Sequence, residues 1–457
     1  MKYILTTALA LLVAAFSSAV SARETAPAEA SSSTVLTLTL PRAIELALAD
    51  NPTMEVADKN VQLKELSKLE TTMGLLPEVS LSGQYSRTIE KQTLVMMGQQ
   101  FKIGIDNSYS GGVSVSLPIF APALYKSINL TRTDVELALE SARESRQDLV
   151  AQVTKAYYQL MLAQDSYDVL QQSLAQSEEN FRIVNAKYEQ GSVSEYDKIS
   201  AEVQMRNLRP SVISARNAVD LCQLQLKVLM GITADVTLAV EGSLADCEEQ
   251  MYSDLLYVDS LTLARNTSLL QLDLNGQLLQ HNLEIQNTNF MPTVAASFNY
   301  MYTCMADNFE FKDYNWSPYS MIALSVSVPL FKYSNLSALK KVRLQQNQLQ
   351  LNRDYTERQL RMQMNTYKNS MSASAEQVSS NKEAIVQAQK GRDIAQTLYD
   401  VGRGTVLELN SAEVALTQSR LTYSQSIFDY LSAKADLDKL VGREYETTDT
   451  TPRQSAE

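Results

Sequence analysis

Histidine occurs once in 457 residues, and cysteine only three times. The single His281 lies between Gln280 and Asn282, with no cysteine or carboxylate cluster around it, so neither a metal centre nor histidine-based catalysis is expected. Cys222, Cys247 and Cys304 are odd in number, far apart and without CxxC spacing. That pattern excludes a disulfide framework and a zinc site. Walker, GxGxxG and HExxH motifs are missing, so any energy coupling must come from a partner. Positive charge is also in deficit: the formal net charge of −12 argues against a nucleic-acid partner. Glycine (14) and proline (11) are scarce for the length, which favours long helices over loops. Beyond the N-terminus no run of about 18 apolar residues occurs, so no transmembrane helix is expected. Any membrane contact must be made by strands.

Lys2, the apolar run from Ile4 to Phe16 and then Ala19-Val20-Ser21-Ala22 read as a signal peptide, residues 1–22, cut before Arg23. No cysteine stands at the cut, which argues against a lipid anchor there. A flexible leader rich in Ser, Ala and Glu follows over 23–35.

Most conspicuous is the uninterrupted stretch from about Ala121 to Gln190, closed by Gly191. Alternating steps of four and three pick out Val135, Leu139, Ala142, Leu149, Val153, Ala156, Leu160, Tyr167, Leu170, Leu174, Phe181, Val184 and Tyr188, broken only by Arg146 and Ser177. Such a 3.5-residue period supercoils a helix against partners. At 1.5 Å per residue the helix would be roughly 100 Å long. A return helix is expected from about Ser194 to Met230.

Upstream, after short helices from Pro41 and Thr53, the period changes to two. Val79, Leu81, Gly83 and Tyr85 oppose Ser80, Ser82, Gln84 and Ser86, and Tyr109, Gly111, Val113, Val115 and Leu117 oppose a row of Ser and Gly. A loop from about Ile89 to Asn107 separates the two strands, and Pro118 is expected to end the second. Strands of about ten residues cross a bilayer when tilted.

The second half repeats the first. Asn51 recurs as Asn266 and Pro77 as Pro292, each 215 residues on (266−51, 292−77). Pro118/Pro329, Gly191/Gly402 and Gly231/Gly442 are each 211 apart, and VSVSLPIF at Val113 matches LSVSVPLF at Leu324. Strands three and four fall at about Thr293 to Tyr302 and Ser317 to Val328, and a second long helix at about Asn335 to Asp400. The organisation expected is therefore a first helix-strand-strand-helix repeat at 36–231, a connector without strong periodicity at 232–259, a second repeat at 260–442 and a disordered tail at 443–457.

Four such strands cannot close a barrel, for which about eight is the practical minimum. Open edges cannot stand in lipid, so other copies of the chain must complete the wall. The fold class expected is mainly α with a membrane β-barrel. It comprises long antiparallel coiled-coil helices and four transmembrane strands per chain, internally duplicated. Ser, Gly, Asn and Gln would line the pore, with Val, Leu, Tyr and Phe facing lipid.

The duplicated plan and the turn sequences NAKYEQGSVSEYDKISAE (Asn185 to Glu202) and TLYDVGRGTVLELNSAE (Thr397 to Glu413) resemble the TolC-like outer-membrane efflux protein family over about Leu36 to Gly442. The resemblance implies a homotrimer forming one β-barrel in the outer membrane and one α-barrel through the periplasm. It implies a passive exit duct of a tripartite efflux or type I secretion system, reached by a periplasmic adaptor and an inner-membrane pump. It places adaptor docking at Gly191, Ser192 and Val193 and at Val401, Gly402, Arg403, Gly404 and Thr405. Glu408 would face the channel mouth, where symmetry copies of one carboxylate favour cations. Asp197 is its first-repeat counterpart. The family's second acidic position holds Ser411, its bracing arginine position holds Gly404 beside Arg403, and its tyrosine is retained as Tyr399.

Each assignment has a plainer alternative. Gly191 and Gly402 are equally the left-handed caps that end a helix, and Glu408 is equally a solvated acid on a helix face. Tyr85, Tyr109, Tyr300, Tyr302, Trp316 and Tyr319 read as an interfacial girdle near the strand ends, or else as ordinary cross-strand packing. For the whole chain the competing reading is a soluble periplasmic coiled-coil or adaptor protein, which needs no strands. An outer-membrane enzyme lacks any candidate nucleophile and base.

Overall fold

The computed structural model describes residues 35–445 apart from 97–98, 234–235, 256–260, 310–311 and 313. The segments expected to be a signal peptide (1–22), nearly all of a leader (23–35) and most of a tail (443–457) lie outside the described residues. In chain order the elements are β1 (Val35–Leu38), α1 (Leu40–Asp50), α2 (Pro52–Met73), β2 (Glu78–Arg87), β3 (Gln92–Met96), β4 (Gln99–Ile103) and β5 (Asn107–Phe120). Then come α3 (Pro122–Glu189), α4 (Glu195–Leu229), β6 (Thr237–Val240), α5 (Glu248–Leu255) and α6 (Thr267–Thr288). β7 (Thr293–Ala306), β8 (Ser317–Ser327), α7 (Tyr333–Asp400) and α8 (Val406–Val441) complete the second repeat.

Both α3 and α7 have 68 residues, so each spans roughly 100 Å at 1.5 Å per residue. No helix among the described residues is apolar enough to cross a membrane. The heptad seam of α3 is buried at Leu149, Val153, Ala156, Leu160 and Val184, and Ser177 is buried with it.

β2, β5, β7 and β8 form one antiparallel sheet in that order, leaving β2 and β8 as open edges. On one side of the strands the helices run α2, α3, α6, α7, each packed on the next, in the same order as the strands that they flank. On the return side the row is α4, α3, α8, α7. The chain is thus a single-layer wall, four elements wide. Leu81 is 82% and Ile322 81% exposed, as expected for one side of a wall whose other surroundings are not water.

Four details depart from the sequence reading. Pro118 does not end its strand: β5 runs on to Phe120, with Pro118 opposite Ala295 and an irregularity in register directly after it, where a missing N–H is tolerated. β7 likewise continues past Tyr302 to Ala306. The loop between the first two strands carries a hairpin, β3 paired with β4, and its neck is tied by Lys91 to Asp106 at 3.0 Å and to Asp307 at 2.9 Å. The connector is also ordered in part: β6 pairs in parallel with β1, and α5 follows a short 3₁₀ turn. Segments this short carry too few residues for a period to be read.

Each repeat closes with the same joint. Asn51 caps α2 by accepting from Thr53 N–H at 2.8 Å, and its Nδ2 donates to Leu229 O at 2.7 Å. Asn266 caps α6 by accepting from Leu269 N–H at 3.0 Å and donates to Leu440 O at 2.7 Å. Gly231 and Gly442 end the return helices with positive φ, and a side chain on either would overlap the backbone carbonyl of Asp50 or Arg265. The landmarks of the repeat are therefore its hinge pieces.

Candidate functional site

The two helical hairpins turn at the end of the wall remote from the sheet. Gly191 (φ 72°) and Gly402 (φ 74°) adopt the left-handed conformation at these turns. Ser192 N–H reaches back to Lys187 O at 2.8 Å; in the second turn Arg403 and Gly404 N–H both reach Leu398 O, at 2.8 and 2.9 Å. A Cβ on Gly404 would stand only 3.0 Å from Tyr399 N, so a larger side chain, arginine included, meets backbone there.

The return helices begin with matched capping boxes. Asp197 N–H donates to Ser194 Oγ at 3.2 Å, while the Asp197 carboxylate accepts from Ser194 N–H and Oγ–H at 3.2 and 2.7 Å. Glu408 N–H donates to Thr405 Oγ1 at 3.2 Å, and Thr405 N–H donates to Glu408 Oε2 at 2.9 Å. Both candidate mouth acids therefore hold helix N-termini, where their charge also meets the positive end of the helix dipole. The S-x-x-D and T-x-x-E spacings were the available sequence signal for this role.

Beneath the turns, Val184, Ala201, Tyr399, Val406 and Leu409 form a small core drawn from all four helices, with Phe181 and Val193 against it. Lys187 Nζ sits 4.4 Å from the centroid of the Tyr399 ring. Burial pushes the Tyr399 phenol up, with Asp197 and Asp400 adding to the shift. Ser411 Oγ donates to Leu407 O at 2.8 Å, on its own helix. Ser192, Val401 and Arg403 are exposed at the extremity. The structure thus brings Tyr399, Val193 and the two capping acids into one tip, while Arg403 points into solvent.

At the sheet, Tyr85 stands opposite Tyr109 with rings stacked at 4.9 Å, and Tyr314, which the sequence did not single out, hydrogen-bonds Tyr109 at 3.0 Å. Tyr300 and Tyr302 share a 3.0 Å hydroxyl contact, but Tyr300 lies opposite Val113 in the body of the sheet, not at a strand end. Trp316 is exposed directly before β8. Tyr319 must be removed from the girdle. Register pairs it with Met301 and keeps it on the face of Ser325, opposite to Ile322 and Leu324; its hydroxyl meets Met321 Sδ at 3.0 Å. Proximity to a strand end is weaker evidence than parity.

A sheet polar on one face and apolar on the other, continuous with helices of this length, defines the class: a membrane-inserted channel subunit with a long helical extension. The soluble reading would leave the apolar face of the sheet in water. The sequence model described as outer membrane efflux protein matches residues 43–232 and 258–443, the two repeats in turn, and the chain belongs to that family. It is 22% identical over 420 residues to "Outer membrane protein TolC" of Escherichia coli (strain K12), covering 87% of this chain and 80% of the relative. The fold is similar to the crystal structure of the Campylobacter jejuni CmeC outer membrane channel, with a TM-score of 0.68 at 14% identity, covering 90% of this chain and 87% of that one. It is similar also to the outer membrane protein VceC of Vibrio cholerae, with a TM-score of 0.69 at 14% identity, covering 88% and 96%. The protein is an outer-membrane channel of efflux systems.

Proposed function

We propose that three copies close head to tail into one passive duct leading from the periplasm to the outside. The observation that carries this reading is the shared order of strands and helices, with one open edge at each end of the wall. An edge of β8 meeting the β2 edge of the next copy continues the ladder, and α7 then comes against α2. Exposed apolar residues run along both helices, Val56, Leu63 and Leu66 on α2 and Leu344, Leu351 and Tyr355 on α7. A heterologous contact of this kind forms a ring when its rotation closes. Three copies supply twelve strands, above the minimum for a barrel, and the number three follows the family likeness.

The tips serve as the docking surface for a periplasmic adaptor, through Gly191, Ser192, Val193, Val401, Gly402, Gly404 and Thr405, and an inner-membrane pump supplies the energy. Glu408, with Asp197 behind it, sets the charge of the mouth, and Tyr399 and Arg403 flank it. The chain itself performs no chemistry. Chemical cross-linking between cysteines placed at Leu66 and Leu351 tests the closure. A covalent trimer supports it; a chain that stays monomeric in detergent with no cross-link rejects it.

A further inference from the structure

Three apolar clusters form among the described residues, a small one of Leu269, Leu360 and Leu440 and two that bracket the junction between the helical hairpins. One surrounds α1 and the connector and includes Leu160 on α3 and Ile427 on α8; the other is the tip core around Val184 and Leu409. Between them the seam joining α3 to α8, and so the first hairpin to the second, turns polar. Its buried residues there are Ser177 and Asn180 on α3 and Asn410, Glu413 and Ser424 on α8, with Leu416 the apolar exception on α8. Asn180 Nδ2 reaches Asn410 Oδ1 at 3.4 Å, and Ser173 meets Thr417 at 3.0 Å. Glu413 is only 7% exposed, and its Oε1 has no hydrogen-bond partner among the described residues. A buried carboxylate lacking partners is costly, whereas its neutral form is far less so.

We propose that Glu413 is a proton-responsive latch between the hairpins: a neutral carboxyl keeps the α3–α8 seam closed, and ionisation favours its separation and an open tip. Water admitted by separation would solvate the carboxylate that the closed seam leaves unpaired. The charged groups on the surrounding elements offer little relief. On α7, Arg392 faces Glu413 and favours its charge, but its guanidinium is held by Asp393 at 3.3 Å. On α3, Glu178 and Glu179 are committed to Arg209 and Arg182, on α4 Glu202 is committed to Arg206, and Asp197 is in its capping box. On α8 itself, Arg420 reaches Gln172 and Gln389.

Burial raises the Glu413 carboxyl above its ordinary 4.5, with Arg392 opposing. The sign follows from linkage: the closed seam is fully favoured below that ordinary value, and loses ground as pH climbs through the raised one. Each unit by which the midpoint differs between closed and open seams changes their ratio tenfold.

This inference rests on the tips being the channel mouth, and one experiment separates the two. The full mature chain is reconstituted in planar bilayers and its current recorded from about pH 4.5 to about pH 8. Wild type should show a severalfold rise, and Glu413→Gln should stay at the low-pH level throughout; a variant that follows the wild-type curve overturns the latch while leaving the channel. Arg392→Gln should move the rise to higher pH, and an unmoved curve overturns the latch even if Glu413→Gln fails to insert. Wild type that passes no current at any pH overturns the channel reading, and the latch with it.

Discussion

Asn266 donates its side-chain amide to the carbonyl of Leu440 at 2.7 Å, bridging 174 positions of sequence and joining the first turn of α6 to the last turn of α8. The same side chain caps its own helix, so one buried amide satisfies groups on two elements. Its counterpart Asn51 does this for α2 and α4. Loss of a cap costs about 0.5–2 kcal/mol, and a carbonyl left buried without a partner adds to that. Asn266→Ala should therefore destabilise the second repeat by about 2 kcal/mol. Asn51→Ala should do the same in the first, and the two effects should add, since the joints share no partner. Denaturant midpoints of the single and double variants measure this; an unchanged midpoint for both singles would show the joints to be incidental.

The two faces of the sheet make a sharper contrast. Ile322 and Tyr319 are close along β8 but lie on opposite faces by register. A charge facing lipid at mid-bilayer costs about 2–4 kcal/mol in such barrels, and one facing the lumen far less. Ile322→Arg should therefore block stable insertion, whereas Tyr319→Arg should insert and alter the ion selectivity of the pore. Membrane fractionation of the two variants decides it. Equal insertion defects would return Tyr319 to the lipid face.

Parity and heptad spacing in this chain are properties of long segments, which is why the wall was legible in the amino-acid order. Fourteen residues of β7 or 68 of α3 repeat one physical environment often enough to declare it. The 215- and 211-residue offsets then located each landmark twice. What escaped was short or depended on a single contact: the β3–β4 hairpin, the parallel β1–β6 pair, and Tyr314 against Tyr109. Asp197 and Glu408 were found as residues, yet their capping role competes with a channel-facing one that only geometry separates. The bury of Glu413 was invisible because a lone acid in a Ser/Asn-rich helix resembles a solvated face.

The connector packs on the second hairpin through Met251, whose carbonyl accepts from Tyr430 Oη at 2.8 Å, and is clamped to it by one carboxylate. Glu248 accepts from Lys382 Nζ at 3.0 Å and from Tyr423 Oη at 2.8 Å. Burial works to raise its pKa, but the hydrogen bonds from Lys382 and Tyr423 and the charge of Lys382 together outweigh it, and the carboxyl ends below its ordinary 4.5. A depressed carboxyl stabilises the attachment above the ordinary value, and that contribution is lost as pH falls through the depressed one. Amide protection over α5, taken relative to the intrinsic exchange rate at each pH, should fall on acidification below 4.5 in wild type, while in Glu248→Gln it should be lower already at neutral pH and no longer depend on acid. Identical profiles would show that the clamp does not hold the connector.

Glu408 carries two consequences that can be told apart. As a cap, its carboxylate secures Thr405 N–H at 2.9 Å, so Glu408→Ala should loosen the first turn of α8 and cost about 1 kcal/mol. As a mouth charge, its removal should reduce cation preference in planar bilayers. Glu408→Gln keeps an acceptor for the capping bond while discarding the charge. If selectivity falls equally in both variants while stability falls only in the alanine, both roles stand. Unchanged selectivity in the glutamine variant removes Glu408 from the mouth and leaves it as a helix cap, the role that Asp197 fills in the first hairpin.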